Sequence, residues 1–238
     1  MLHVKKIGIL GGMGPVASLF LVNYILKQAA YKYDAVQDKD YPEIVLNSIA
    51  LSDFDETGYF NKALILQELT NGIGTLEYAK VDIIAIACNT VHYFYNLINK
   101  VTPIPILNIV ELTVKSLLDS NTKKIGILSS ETAKEMRIYT NRFEEKRIFF
   151  IETTKEEQQL VNEVIYSVMG QKINNVIISK LESIIARMYE SGAQSIVFGC
   201  TELSLLYENF EKKYNILDTS RILGDEIIRI AYNDRSQD

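Results

Sequence analysis

The sequence is short of several things, and each shortage narrows the reading. No apolar run reaches the roughly 18–20 residues needed to span a bilayer as a helix. Basic residues are scattered and outnumbered, 25 Lys and Arg against 30 Asp and Glu, for a net charge of -5. With no basic cluster, nucleic acid and anionic membrane are poor partners. Neither G-x-S-x-G nor a Walker A pattern occurs, so hydrolase and NTPase readings have no support. The opening MLHVKKIGIL lacks an apolar stretch followed by a small-residue cleavage site. A reducing cytoplasm is therefore the expected compartment, and the only two cysteines are expected as thiols.

What is present is alternation of apolar strands and amphipathic helices. Val4–Leu10 reads as a strand buried on both faces, ending at the turn Gly11-Gly12-Met13-Gly14-Pro15. A helix to about Tyr33, a strand Glu43–Ile49 and a helix carrying Leu66, Leu69, Ile73 and Leu76 follow by periodicity. Val81–Ile86 is the next buried strand, and a helix over about Val91–Lys100 is expected after it. The pattern then restarts. Lys5-Lys6-Ile7-Gly8-Ile9-Leu10 returns as Lys123-Lys124-Ile125-Gly126-Ile127-Leu128, an offset of 118 residues. Cys88 and Cys200 end similar strands at an offset of 112, and Ile106-Leu107-Asn108 matches Ile216-Leu217-Asp218 at 110. Three matches in one order predict an α/β fold of two pseudo-symmetric, doubly wound lobes with mainly parallel sheets. The site is expected in the cleft between them. The expected division is 1–102 for the first lobe, joined by 211–238, and 103–210 for the second.

Both cysteines fall at the carboxyl ends of strands, where open α/β sheets bind ligands. Two thiols facing a carbon from opposite sides can invert it. One thiolate removes a proton from one face while the other thiol delivers a proton to the opposite face, with no need of a metal or pyridoxal cofactor. A free thiol, pKa about 8.5, is only a few per cent ionised at pH 7. Lowering that by two units takes about 2.7 kcal/mol, which helix N-termini after each cysteine, capped by Thr90 and Thr201, would help to supply.

Other assignments compete. A lone Cys ending a strand is most often a small core residue, and a disulfide between the two would disable the site. Cys88, His92 and Cys200 make three potential zinc donors, short of a structural set; His92 fits better as a helix-start residue or a polar lid. Gly12-Met13-Gly14-Pro15-Val16-Ala17 fits G-x-G-x-x-A, but Asn47-Ser48 stands where a nucleotide site needs an acid.

Gly11-Gly12-Met13-Gly14-Pro15, Ala87-Cys88-Asn89-Thr90-Val91-His92 and Phe198-Gly199-Cys200-Thr201-Glu202-Leu203 together resemble the signatures of the aspartate/glutamate racemase superfamily, over essentially the whole chain. The aspartate branch is the closer likeness, since Gly11-Gly12 and Glu202 replace the Asp-Ser pair and the His usual in bacterial glutamate racemases. The resemblance implies cofactor-independent 1,1-proton transfer on an amino acid by a homodimer, with Cys88 and Cys200 as the acid–base pair. It also implies that Gly12, Met13, Asn89, Thr90 and Thr201 cradle the α-carboxylate and amino group, with Ser130 lining the same cleft. Asn47, ending the second strand, is a further binding candidate. Relatives acting on aspartate commonly carry Arg after strand two and Lys after the long helix of lobe two. Here Leu46–Thr57 has neither, and Ile165–Lys172 offers only Lys172. Two alternatives use the same scaffold: another isomerase or decarboxylase of a small dicarboxylate, and a non-catalytic amino-acid-binding protein.

Overall fold

A computed structural model of the chain describes residues 4–52 and 61–232. The first apolar run forms β1 (Ile7–Gly11), buried along its whole length. Pro15 opens α1 (Pro15–Tyr33), where its fixed φ suits the first turn and its missing N–H leaves no bond unmade. β2 (Ile44–Ser48), α2 (Lys62–Tyr78) and β3 (Ile83–Ile86) complete a parallel sheet of order β2-β1-β3. Ile106 adds a parallel bridge to Ile84 on the free side of β3. Asn108 caps α4 (Ile109–Asp119), its side chain accepting the Val110 and Glu111 N–H groups.

The second sheet contains β4 (Lys124–Leu128), β5 (Phe149–Ile151), β6 (Ser195–Phe198) and β7 (Ile216–Asp218), all parallel, in the order β5-β4-β6-β7. α5 (Glu131–Glu135) and α6 (Thr140–Glu145) lead from β4 to β5. α7 (Lys155–Met169) and α8 (Asn175–Glu190) lead from β5 to β6, and α9 (Thr219–Ala231) follows β7. Among the described residues no helix is long and apolar enough to cross a membrane.

The repeat in the sequence is a repeat in register. Ile7 pairs with Ile83 in the first sheet, and Ile125 with Ser195 in the second. Ile84 pairs with Ile106, and Ile196 with Ile216. These pairs are related by the same offsets that relate the sequence motifs, so each sheet carries its cysteine strand beside its central strand. The expected lobe boundaries cut across this pairing in two places. Ile106 bonds into the first sheet, whereas Ile216–Asp218 bonds into the second, because each follows its own cysteine strand closely enough to pair with it. α9 does cross over: its Leu223, Ile227, Ile228 and Ala231 are buried in one apolar cluster with Leu21 and Ile25 of α1, Val114 and Leu117 of α4, and strand residues of both sheets. Burial of that size, at about 25 cal/mol per Å² of apolar surface, welds the two sheets through α1, α4 and α9.

The helix expected over Val91–Lys100 is instead a 3-10 turn, Thr90–Phe94, and a one-turn α3 (Tyr95–Ile98). In a 3-10 turn residues three apart eclipse, which points Val91 and Phe94 inward together; both are buried. The segment following Cys200 does the same over Leu203–Asn209.

Candidate active site

The last ladder bond of each cysteine strand is the same bond twice. The Ala87 N–H donates to the Leu10 carbonyl at 2.9 Å, and the Gly199 N–H to the Leu128 carbonyl at 2.7 Å. Cys88 and Cys200 are therefore each the first residue beyond their sheet. Both are buried, at 2% and 4% exposure, and neither is in a disulfide.

Two residues past each cysteine, a side chain reaches into the other half of the molecule. Thr90 Oγ1 lies 3.2 Å from Ser130 Oγ, at the end of β4. Glu202 Oε1 accepts the Gly14 N–H at 3.2 Å, in the turn after β1. The carboxylate also takes the Cys200 thiol, with Sγ 3.0 Å from Oε2, and the Thr201 hydroxyl at 3.1 Å. These contacts replace the helix caps expected of Thr90 and Thr201: neither 3-10 turn has a side-chain cap. With no long α-helix starting at either cysteine, a helix dipole contributes little to thiolate formation, since that effect belongs to aligned peptide dipoles.

Asn89 is held at both ends. Its Nδ2 donates to Thr219 Oγ1 at 3.2 Å, and its Oδ1 accepts the phenol of Tyr139. Thr219 in turn donates to the Phe198 carbonyl at 2.9 Å, two residues before Cys200. Burial pushes the Tyr139 phenol above its ordinary range, so it stays a donor. The ring packs close to Gly199, where a Cβ would come within 3.2 Å of it.

His92 is neither lid nor free metal donor. Its Nδ1 lies 2.8 Å from the Cys88 carbonyl, and Nε2 receives the Ile109 N–H at 3.3 Å. That pair of partners requires the Nδ1–H tautomer. The ring thus pins the cysteine loop to the start of α4. Among the described residues no three His, Cys, Asp or Glu side chains are grouped so as to hold a metal ion.

Two buried groups near these loops titrate abnormally, in opposite senses. Burial lowers the His92 pKa to about 4, below its ordinary 6.5. The stability it carries is complete above about pH 6.5 and is lost as pH falls toward 4. Asp218 is raised by burial to about 6 from its ordinary 3.8, although it accepts the Arg221 N–H and the Ser204 hydroxyl. Acid therefore favours the fold as Asp218 takes up its proton between about pH 6 and 4. Each shift is worth on the order of 3 kcal/mol, so the two slopes oppose each other. Acidification from pH 7 to 4.5 is expected to lower the urea midpoint of Asp218→Asn more steeply than that of the wild type, and that of His92→Asn less steeply. Parallel midpoints in all three proteins would contradict this assignment.

Of the residues singled out in the sequence, Cys88, Asn89 and Thr90 follow β3, Ser130 follows β4, and Cys200 and Thr201 follow β6, with Thr90 and Ser130 in contact. Gly12 is in the β1 turn with φ +98°, its N–H donating to Ser18 Oγ at 3.0 Å. Met13 is buried in one apolar cluster with Leu10, Ile86 and Cys88. Asn47 is elsewhere: its amide donates to the Gly72 carbonyl at 3.0 Å and ties β2 to α2. Sequence reasoning missed Tyr139 and Thr219, and noted Glu202 only as a departure from relatives. Position two past a cysteine was the available signal for Glu202; Tyr139 had none. A separate groove of about 510 Å³ is lined by residues including Tyr93, Tyr95, Glu111, Arg137 and Arg142, and by neither cysteine. Its arginines are already paired with Glu144 and Glu111.

The sequence is 28% identical over 232 residues to the broad specificity amino-acid racemase RacX of Bacillus subtilis, covering 93% of this chain and 96% of that one. The fold is similar to an aspartate racemase homologue from Pyrococcus horikoshii, with a TM-score of 0.77 and 23% identity over 95% of this chain and 99% of that one. It is likewise similar to the Picrophilus torridus aspartate racemase, with a TM-score of 0.76 and 23% identity over 97% and 98%. Residues 10–225, spanning both cysteine loops, match the Asp/Glu/Hydantoin racemase family, and the chain belongs to it.

Proposed function

We propose that the protein is a cofactor-independent amino-acid racemase that inverts the α-carbon by proton transfer between Cys88 and Cys200. The observation that carries this is their equivalence: each thiol is the first residue beyond the same register position of a repeated sheet. The full-length similarity to a protein named as an amino-acid racemase supports the substrate class. In the forward direction a thiolate at one cysteine takes the α-proton and becomes a thiol. The S–H of the other gives its proton to the opposite face of the carbanion and becomes the thiolate. The reverse reaction exchanges the roles.

The α-proton is only weakly acidic, so the negative charge that develops on the substrate carboxylate needs donors already in place. The Asn89 amide and the Thr90–Ser130 hydroxyl pair each retain a donor, whereas Thr201 gives its proton to Glu202 and would have to turn from it to reach a substrate. Charge at the far end of the substrate is less well provided for. The segment after β2 contains no Lys or Arg through Thr57, and an unpaired carboxylate in a closed site is costly. The same reading includes a homodimer, on the strength of the family resemblance, and a cytoplasmic location, on the composition of the sequence.

The test is proton NMR in deuterated water with a panel of L-amino acids running from aspartate and glutamate through neutral to basic side chains. Loss of the α-proton signal, with D-enantiomer appearing, is the expected result for at least one of them. Ligand-induced thermal stabilisation with no exchange across the panel would defeat the racemase reading and favour a binding protein.

A further inference from the structure

Asn89 follows Cys88 directly and is buried. An amide side chain has two unlike ends, a carbonyl that only accepts and a nitrogen that only donates. Which end faces a substrate decides what Asn89 can bind, and the two ends are alike in shape. Its neighbours make the choice. Thr219 Oγ1 has given its own proton to the Phe198 carbonyl at 2.9 Å, so toward Asn89 it can only accept. It takes a hydrogen of Nδ2 at 3.2 Å.

At the other end stands Tyr139, the residue before α6. Burial pushes its phenol above the ordinary range, so it keeps a proton and gives it to Asn89 Oδ1. The hydroxyls of Thr113 and Thr219 lie beside the same phenol oxygen. Thr113 has already donated to the Ile109 carbonyl at 2.7 Å, as Thr219 has to Phe198, so neither competes for the amide oxygen. The ring is seated on Phe143, with centroids 5.7 Å apart, and against Gly199, which sets where the hydroxyl falls. The bonds therefore run one way, from Tyr139 through Asn89 and Thr219 to the Phe198 carbonyl. Turning the amide over would set its carbonyl against the spent Thr219 oxygen and its nitrogen against the phenol proton. In a buried network both mismatches are costly.

We infer that Tyr139 is a positioning residue: it holds the Asn89 amide so that an N–H, and not the carbonyl, is offered to the substrate carboxylate. This rests on the racemase reading, in which Asn89 binds that carboxylate. Nδ2 carries two hydrogens, and Thr219 takes one of them; the second is the donor in question. A carbonyl in its place would repel the negative charge that grows as the α-proton leaves. Freeing the amide therefore weakens the transition state as well as substrate binding.

Tyr139→Phe removes only the hydroxyl and keeps the ring. With the panel amino acid that the wild type inverts fastest, kcat/KM is expected to fall by about tenfold or more. In an Asn89→Ala background the same change is expected to cost less than about twofold, because the group it positions is gone. A role in the fold alone would cost the same in both backgrounds. That result, or no loss in the otherwise wild-type protein, overturns the inference. The amide itself is read without substrate. In protein carrying 15N in its asparagine side chains, the Asn89 pair is the one missing from Asn89→Ala. The slower of its two hydrogens is expected to exchange with water about tenfold faster in Tyr139→Phe, and unchanged exchange overturns the inference equally. Should Tyr139→Phe not fold, Thr219→Val frees the opposite end of the amide and is read in the same way. If no amino acid is inverted, the racemase reading fails, while the amide signals still decide whether Tyr139 holds Asn89.

Discussion

Cys88→Ala and Cys200→Ala are each expected to lose inversion in both directions, by about 1,000-fold or more. A single positioned acid or base contributes roughly 10²–10⁴ in rate, and inversion needs one of each in the same turnover. Truncation to alanine also leaves folding largely intact, because both positions lie at strand ends rather than within the ladder. The informative part is what survives. With one thiol gone, the other can still remove an α-proton and return a deuteron to the same face. Each variant should therefore retain solvent exchange with one enantiomer and lose it with the other, and the two variants should differ in which. Chiral chromatography gives the inversion rate, and loss of the α-proton signal in deuterated water gives the exchange rate. Full inversion by either variant would sink the two-thiol mechanism.

Gly12→Ala is expected to have the largest effect on stability, at least about 3 kcal/mol, with loss of activity. Gly12 sits at φ +98°, a region that a Cβ makes costly. The added Cβ would lie 1.9 Å from the carbonyl oxygen of Ile49 and 2.7 Å from its nitrogen. Both are backbone atoms, so no rotamer change relieves the overlap. Backbone strain and overpacking each cost about 1–3 kcal/mol, and the shift needed would also disturb the Ile49 N–H bond to the Gly11 carbonyl and the Gly12 N–H bond to Ser18. Since the same turn carries the Gly14 N–H to Glu202, the site is displaced with it. A urea midpoint within 1 kcal/mol of the wild type would show that the turn has room to move.

The fold was legible where residues answer to their neighbours in sequence. β1, and β4 after Lys124, are apolar runs because both faces are covered, and Pro15 marks the start of α1 to the residue. The repeat predicted the shared register because an offset in sequence becomes an offset in pairing when the connections are of one design. The backbone positions of the marked residues were legible too: Cys88 and Cys200 follow the ends of β3 and β6, and Ser130 follows β4. Legibility failed where a side chain has two possible partners. Thr90 and Thr201 have the chemistry of helix caps, but their hydroxyls are engaged by Ser130 and Glu202, and only one of those lies nearby in sequence. Asn47 ends a strand on the correct edge, yet α2 lies closer than the cleft and takes its amide. Tyr139 reaches Asn89 from fifty residues away, a meeting that no local pattern encodes.

The reciprocal contacts at the strand ends also make the cleft a clasp with two catches. Thr90 hooks the second half at Ser130, and Glu202 hooks the first at Gly14. Each catch is a side chain carried by one cysteine loop and seated in the turn of the opposite half. The neutral Thr90–Ser130 bond is worth about 0.5–1.5 kcal/mol net, and the bond to the Glu202 carboxylate about 1.5–3 kcal/mol, so the first catch is the easier to release. Because the cysteine loops themselves form the catches, a substrate bound between the thiols, as proposed, would have to unfasten at least one of them.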